Sequence, residues 1–112
     1  MASNYNLAWA AGFFDGEGCT SVLKARRDSY SYIRMNIAQK NLECLEKFKS
    51  IVLLGKIYKS KTRNIYSWDC YKQDDVSKVL ESLWPYLSEV KKIQAIKAQE
   101  KRDNNKKEIC GI

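Results

Sequence analysis

The sequence contains no histidine, which excludes histidine-based acid–base catalysis and Cys-His zinc sites. Its four cysteines, at positions 19, 44, 70 and 110, form no CxxC pair. There is no signal-peptide pattern, and no apolar run approaches the roughly 20 residues that a membrane span needs. We therefore expect four reduced thiols, an intracellular reducing compartment and no membrane partner.

Acidic residues are in the minority. The 112 residues include 20 Lys and Arg against 13 Asp and Glu, which gives a net charge of +7. This excess favours a polyanionic partner, nucleic acid before membrane, although an ordinary basic protein would also show it. The length suits one domain, and a hydrophobic fraction of 45% indicates a globular protein.

One apolar helix is predicted over residues 5–15. Ala8, Gly12 and Gly16 fall four residues apart, so they form a stripe with almost no side chain. The stripe either accommodates the protein's own sheet or receives a helix from a second copy. We favour the second copy because a helical glycine costs about 0.5–1 kcal/mol relative to alanine and suggests a compensating contact.

Two carboxylates, Asp15 and Glu17, stand at the C-terminal end of this helix. That end carries partial negative charge and prefers cations, so a divalent cation would relieve the conflict. Mg²⁺ is the natural choice, because without histidine the metal ligands would be oxygens and the substrate would carry phosphate. The alternative is that Asp15 caps a nearby turn while Glu17 is simply solvated.

The remaining chain alternates between hairpins and helices. The predicted elements are strands 19–27 and 30–39 around a turn at 28–29, a helix over 42–54 ended by Gly55, strands 56–61 and 65–71, a helix over 75–83 capped by Asp74, a last helix over 88–101, and a polar tail over 102–112. In the first strand the buried face is ambiguous, and a bulge could reconcile its two halves.

The predicted order, α-ββ-α-ββ-α-α, indicates an α+β fold in one domain, residues 1–101. Both hairpins could join in a four-stranded antiparallel sheet that has helices on one face. The open face would form a saddle rich in Tyr, Arg, Lys, Asn and Gln. Such a face is either simply solvated or suited to reading the major groove, and we favour DNA readout because aromatic and charged residues share the same segments.

Residues 10–18, AAGFFDGEG, resemble the LAGLIDADG motif of homing endonucleases, with Glu17 in place of the terminal aspartate and Ala10 in place of the leucine. Later stretches resemble the same family. They are IAQK at 37–40, GKIY at 55–58, LWPYL at 83–87 and VKKIQA at 90–95. The resemblance covers about residues 5–100 and identifies the chain as similar to the single-motif, homodimeric type.

The resemblance implies a catalytic set of Glu17, Gln39 and Lys91. Glu17 and the Gly16 carbonyl would hold Mg²⁺ or another divalent cation such as Mn²⁺. Gln39 would position water near the scissile phosphate. Lys91 would stabilise charge on the phosphate or activate the water, with Lys92 as a possible substitute because of an apparent one-residue insertion.

The resemblance also implies a homodimer. Ala8, Gly12, Phe13 and Gly16 would form its interface, and Asp15 would cap or orient the helix end. Such a dimer would cut both strands of a palindromic or nearly palindromic DNA site. An organelle (mitochondrion or chloroplast), a bacterium and a phage all fit as the source, and the resemblance implies a gene encoded within an intron.

The expected DNA-binding residues come from both hairpins. They are Lys24, Arg26, Tyr30, Tyr32, Arg34, Asn36, Lys59, Lys61 and Trp68. Two other functions stay open at this point. One is a non-cleaving relative that acts as an RNA-splicing maturase or a DNA-binding regulator, and the other is a generic small basic interaction domain.

Overall fold

A computed structural model describes residues 3–24 and 31–110, with side chains through 104. The elements follow the predicted order and confirm the α+β fold. They are α1 (Asn4–Glu17), β1 (Gly18–Lys24), β2 (Ser31–Gln39), α2 (Leu42–Val52), β3 (Lys56–Lys59), β4 (Tyr66–Cys70), α3 (Gln73–Leu83), a short 3₁₀ helix (Trp84–Tyr86) and α4 (Glu89–Cys110). Within the described residues, no helix is long and apolar enough to cross a membrane.

The four strands form one antiparallel sheet in the order β1-β2-β4-β3. Each residue of β1 pairs with one residue of β2, from Gly18 with Ile37 to Lys24 with Ser31. Thr20 and Val22 therefore share the helix-covered face with the buried residues of β2, which settles the phase of the first strand without a bulge. The predicted turn at 28–29 lies outside the described residues.

Aromatic side chains fill the space between the helices and the sheet. Phe14, Phe48 and Trp68 are fully buried, and the Phe48 and Trp68 rings meet edge to face with centroids 4.8 Å apart. The Trp68 indole Nε1 donates a hydrogen bond to the Leu54 carbonyl at 2.9 Å. The prediction that Trp68 contacts DNA is therefore wrong, because β4 turns this side chain to the covered face of the sheet.

Several predicted element boundaries are also wrong. The helix α2 ends at Val52, and its C-cap is the left-handed residue Leu53, with φ of 66°, two residues before Gly55. The helix α3 begins at Gln73 without a side-chain cap, so Asp74 belongs to its first turn.

The last helix, α4, covers the free edge of β1. Gln94 Oε1 accepts a hydrogen bond from the Thr20 backbone N–H at 2.9 Å, and Lys91 Nζ donates to the Gly18 carbonyl at 2.6 Å. These contacts occupy backbone groups that an edge strand would otherwise leave unpaired. The predicted tail from residue 102 is instead part of α4, and Arg102 Nη1 donates to Gln73 Oε1 at 3.1 Å.

The described cysteines 19, 44 and 70 are free thiols. Burial, together with the nearby negative charge of Asp75, raises the pKa of the Cys70 thiol to about 11. This thiol is consequently protonated and unreactive at neutral pH.

Gly55 is a position where only glycine fits. Its φ is +87°, and an added Cβ would clash with the Trp68 indole and lie 2.9 Å from the Asp69 carbonyl oxygen. We expect Gly55→Ala to lower the free energy of unfolding by about 2 kcal/mol or more, measured by urea denaturation. Ser77→Ala, at an exposed site on α3, is the control and should change it by less than about 0.5 kcal/mol. Equal stability of the two variants would contradict the strain at Gly55.

Candidate functional site

One stripe of α1 is left bare in the folded chain. Ala8, Gly12 and Gly16 are exposed, and a Cβ added at either glycine would meet nothing within 4 Å. Tyr5 lies one turn before Ala8 and is 80% exposed. The glycines therefore do not accommodate the protein's own sheet, which removes that alternative for the stripe.

The opposite side of α1 faces the core. Ala10, Ala11 and Phe14 are fully buried. Phe13, expected at a dimer interface, is half-buried, stacks on Trp9 at 5.3 Å between centroids and contacts Phe48 at 6.0 Å. Because of these contacts within the chain, Phe13 packs beside α2 and is not part of the bare stripe.

The two acids at the end of α1 have different surroundings. The Asp15 carboxylate is half-buried and accepts a hydrogen bond from the Ser88 backbone N–H, at 3.1 and 3.2 Å to its two oxygens. Glu17, the last residue of the helix, is exposed and has no hydrogen bond or ion pair within the described part of the chain. Asp15 thus joins α1 to the start of α4, while the Glu17 carboxylate is available to a ligand.

The start of α4 places the Lys91 ammonium group at the end of α1. Ser88 Oγ accepts from the Lys91 backbone N–H at 3.3 Å, and the Lys91 ammonium reaches the Gly18 carbonyl just beyond Glu17. A cation there offsets the partial negative charge of the helix end. Lys92 instead lies over the Trp84 ring, with Nζ 5.8 Å from its centroid. Of the two lysines, Lys91 is the one that the fold brings to the end of α1.

Gln39 stands at the same end of the sheet. Glu17 immediately precedes Gly18, Gly18 pairs with Ile37, and Gln39 is two residues farther along β2. The Gln39 side-chain oxygen accepts from the Lys40 backbone N–H at 3.0 Å. Of the three residues expected to be catalytic, Glu17 and Lys91 thus lie at the end of α1, and the strand register puts Gln39 on the strand beside it.

The metal-ligating groups of one chain are few. Among the residues that the structure describes, no group of three or more His, Cys, Asp or Glu side chains is placed to hold a metal. The oxygen ligands at the end of α1 are the Glu17 carboxylate and the backbone carbonyls of the last helical turn, including that of Gly16, which lack intrahelical donors.

The open face of the sheet contains three of the nine expected DNA-binding residues: Tyr32, Arg34 and Asn36. Contrary to the prediction, Lys24 and Lys59 lie on the helix side of the sheet, exposed at strand ends. Lys61 is exposed in the loop after β3. Arg26 and Tyr30 lie outside the described residues.

Two residues near these sites were missed from the sequence. Ser88 precedes the last helix three residues before Lys91, which is a recognisable helix-capping position. Asp69 lies on the open face because it alternates with the buried Trp68 and Cys70. Burial raises the pKa of the Asp69 carboxyl, and the positive charge of Arg34 partly counteracts this.

The Asp15–Ser88 contact leads to a stability prediction. We expect Asp15→Ala to lower the free energy of unfolding by about 1 kcal/mol, because the backbone N–H at the start of α4 loses its acceptor. Asp74→Ala is the matched control, since Asp74 is exposed and forms no side-chain cap on α3. The free energy of unfolding of both variants is measured by urea denaturation. An equal loss in the two would contradict a stabilising role for the Asp15–Ser88 contact.

A family model described as LAGLIDADG endonuclease matches residues 10–101. No curated protein is detectably similar in sequence. Among solved structures, the homing endonuclease I-GzeII in complex with its DNA target is similar with a TM-score of 0.76 and 23% identity, over 99% of this chain and 43% of that chain.

Two further DNA complexes are similar. The homing endonuclease I-CvuI, bound to a DNA target, has a TM-score of 0.72 and 22% identity, over 92% of this chain and 67% of that chain. The archaeal intron-encoded homing endonuclease I-Vdi141I has a TM-score of 0.65 and 27% identity, over 74% of this chain and 56% of that chain. This chain therefore spans about two-fifths to two-thirds of the length of these proteins.

Proposed function

Because the chain belongs to the LAGLIDADG endonuclease family, we propose that it is a sequence-specific, Mg²⁺-dependent double-strand DNA endonuclease that acts as a homodimer. The observation that carries the proposal is the bare stripe of α1, which leads to an exposed carboxylate with an ammonium group beside it. Gly12 and Gly16 have open space above them, and Glu17 and Lys91 stand at the end of the same helix.

The occupant of the stripe is the same helix of a second copy. Without side chains at Gly12 and Gly16, two α1 helices can approach more closely than the usual ~8–10 Å between axes. An interface of this kind is isologous, so the dimer has a two-fold axis along which the two α1 helices meet. It brings both Glu17 carboxylates near that axis, and the DNA site is expected to be palindromic or nearly so.

The ligands at the end of α1 fit Mg²⁺ better than a metal that needs a protein cage. Mg²⁺ keeps several waters and binds through one or two carboxylates together with substrate phosphates. Glu17 and the Gly16 carbonyl of each protomer would hold it. When bound, the ion supplies charge stabilisation at the phosphate and lowers the pKa of water.

The protein's own groups supply orientation and charge. The Gln39 amide is suited to hold water near the scissile phosphate. The Lys91 ammonium, anchored on the Gly18 carbonyl, stabilises negative charge on that phosphate or activates the water. Asp15 holds the start of α4 and thereby keeps Lys91 beside Glu17.

The open face of the sheet is the proposed DNA surface. Tyr32, Arg34 and Asn36 point to this side, and the net charge of +7 favours a polyanion. Antiparallel sheets can leave one face free for a ligand, and strands can enter the major groove. We also propose that the protein works in a reducing compartment, which the free cysteines 19, 44 and 70 support.

The test has two steps. Double-stranded DNA is first selected for binding from a randomised library in Ca²⁺, and the enriched DNA is then incubated with Mg²⁺, Ca²⁺ or EDTA. We expect cutting of both strands in Mg²⁺ alone, at nearly palindromic sites, by a dimer of about 26 kDa, twice the chain mass of 13.0 kDa. Binding without cutting would contradict the proposal in favour of a DNA-binding regulator, and a monomer in light scattering would contradict the dimer.

A further inference from the structure

One acidic residue stands in the middle of the open face of the sheet. Asp69 on β4 pairs with Asn36 on β2 at one side and with Lys56 on β3 at the other. It therefore lies on an inner strand of the sheet, where a bound duplex would cover it. A carboxylate repels DNA phosphates, so its place there needs a reason other than general affinity.

The Asp69 carboxylate is half-buried and unpaired. Within residues 3–24 and 31–104, it has no hydrogen bond and no cation within 4 Å, the distance that defines an ion pair. Partial burial of a charge without a partner is unfavourable for folding. A half-buried acceptor that the folded chain leaves unsatisfied is a group that a ligand can satisfy.

A guanidinium group with the same deficit lies on the neighbouring strand. Arg34 is two residues before Asn36 on β2, so it is a diagonal neighbour of Asp69, at a typical separation of about 7–8 Å. The Arg34 Nε atom is buried and has no hydrogen-bond partner in the described part of the chain. A donor and an acceptor thus stand on neighbouring strands: the Arg34 charge acts on the Asp69 carboxyl, but no hydrogen bond joins the two groups.

We propose that Arg34 and Asp69 together read one G·C base pair in the major groove, an inference that rests on the proposed DNA-binding function. Guanine presents two acceptors, N7 and O6, which match an arginine fork. Cytosine presents the N4 amino donor, which matches a carboxylate. Arg34 takes the guanine and Asp69 takes the cytosine of the same pair.

The Asp69 carboxylate disfavours thymine and guanine at the cytosine position, whereas adenine, which offers an N6 amino donor, is disfavoured because Arg34 then faces thymine and its single acceptor. A thymine in place of the cytosine directs its O4 acceptor toward the Asp69 carboxylate, and a guanine there directs O6 and N7 toward it. Two acceptors facing each other leave the carboxylate unpaired and add repulsion. The acid therefore contributes selectivity by penalising wrong bases, while Lys56 beside it on the same face contributes affinity.

The test compares binding preferences in Ca²⁺, where cleavage does not interfere. Sites are selected from a randomised double-stranded library by the full chain, by Asp69→Asn and by Arg34→Gln. Asp74→Asn, the same substitution at an exposed position on α3, is the matched control. The wild-type chain should require G·C at one position of each half-site, with a discrimination of roughly tenfold or more over other pairs.

Asp69→Asn should weaken the G·C preference at that base pair, since asparagine suits adenine rather than cytosine, and should leave the other positions unchanged. Arg34→Gln should weaken the preference for the same base pair, since glutamine suits adenine rather than guanine. Asp74→Asn should select the wild-type site. Thermal unfolding of each variant confirms that it is folded, and either variant alone suffices for the test.

Unchanged preferences in Asp69→Asn and Arg34→Gln would overturn the inference, as would the absence of a required G·C position in the wild-type site. If Asp69→Asn gained affinity equally for all sequences, the only effect of Asp69 would be charge repulsion of DNA, and the inference would be overturned as well. If the protein selects the site and fails to cut it, the proposed endonuclease activity is refuted and the proposed G·C readout is supported. If the protein binds no DNA, both proposals are refuted.

Discussion

We expect Glu17→Gln to abolish Mg²⁺-dependent cleavage and to leave the protein folded, dimeric and able to bind DNA. This is the largest effect expected from any single substitution in the chain. Glu17 is exposed and has no partner in the described residues, so glutamine removes a negative charge without disturbing the fold. Loss of the metal-holding carboxylate should lower the cleavage rate by at least about a thousandfold, which corresponds to several kcal/mol of transition-state stabilisation.

The control for Glu17→Gln is Glu81→Gln on α3, an exposed glutamate far along the chain from the end of α1. It makes the same chemical change and should cut at the wild-type rate. The measurement is single-turnover cleavage of the selected DNA in Mg²⁺, with binding measured separately in Ca²⁺. Full activity of Glu17→Gln would refute the proposed role of this carboxylate.

We expect Gly12→Leu to convert the proposed dimer into a folded monomer that does not cut. A leucine at this position projects into open space in the single chain, so the monomer loses nothing by it. In the dimer the same side chain stands where two helices meet, and the helices must separate to make room. Light scattering should report about 13 kDa in place of about 26 kDa, and double-strand cutting should be undetectable.

Two further variants separate packing from general damage. Ser77→Leu places the same bulk at an exposed position on α3 and should remain dimeric and active. Gly12→Ala should raise the intrinsic stability of α1 by about 0.5–1 kcal/mol and yet weaken dimerisation, because the added methyl group intrudes on the partner helix. A Gly12→Leu protein that is dimeric and fully active would refute the proposed interface.

Local patterns were enough to predict the element order. Period-2 alternation marked the second strand, and periods of three and four marked the helices, because burial of one face imposes these spacings on a chain. The confirmed α+β architecture follows from them. Boundaries were less accurate. At Leu53, for example, the helix ends in a left-handed residue other than glycine, before the stop predicted at Gly55.

The face on which each strand residue lies could not be predicted from alternation alone. Alternation shows that Trp68 and Asp69 point to opposite sides, but it does not show which side the helices cover. The pairing of Trp68 with the buried Ile37 decides this. The tryptophan expected to bind DNA is consequently a core residue, and the aspartate that was overlooked lies on the open face.

By itself the sequence determined the helix with its stripe, the two acids at its end and the basic hairpins, because these depend on residues close together in the chain. The tertiary structure decided which groups meet. Asp15 meets Ser88, and Lys91 rather than Lys92 meets the end of α1, across 73 residues of sequence in each case. Such contacts depend on how the last helix packs along the edge of β1, and no local spacing encodes that packing.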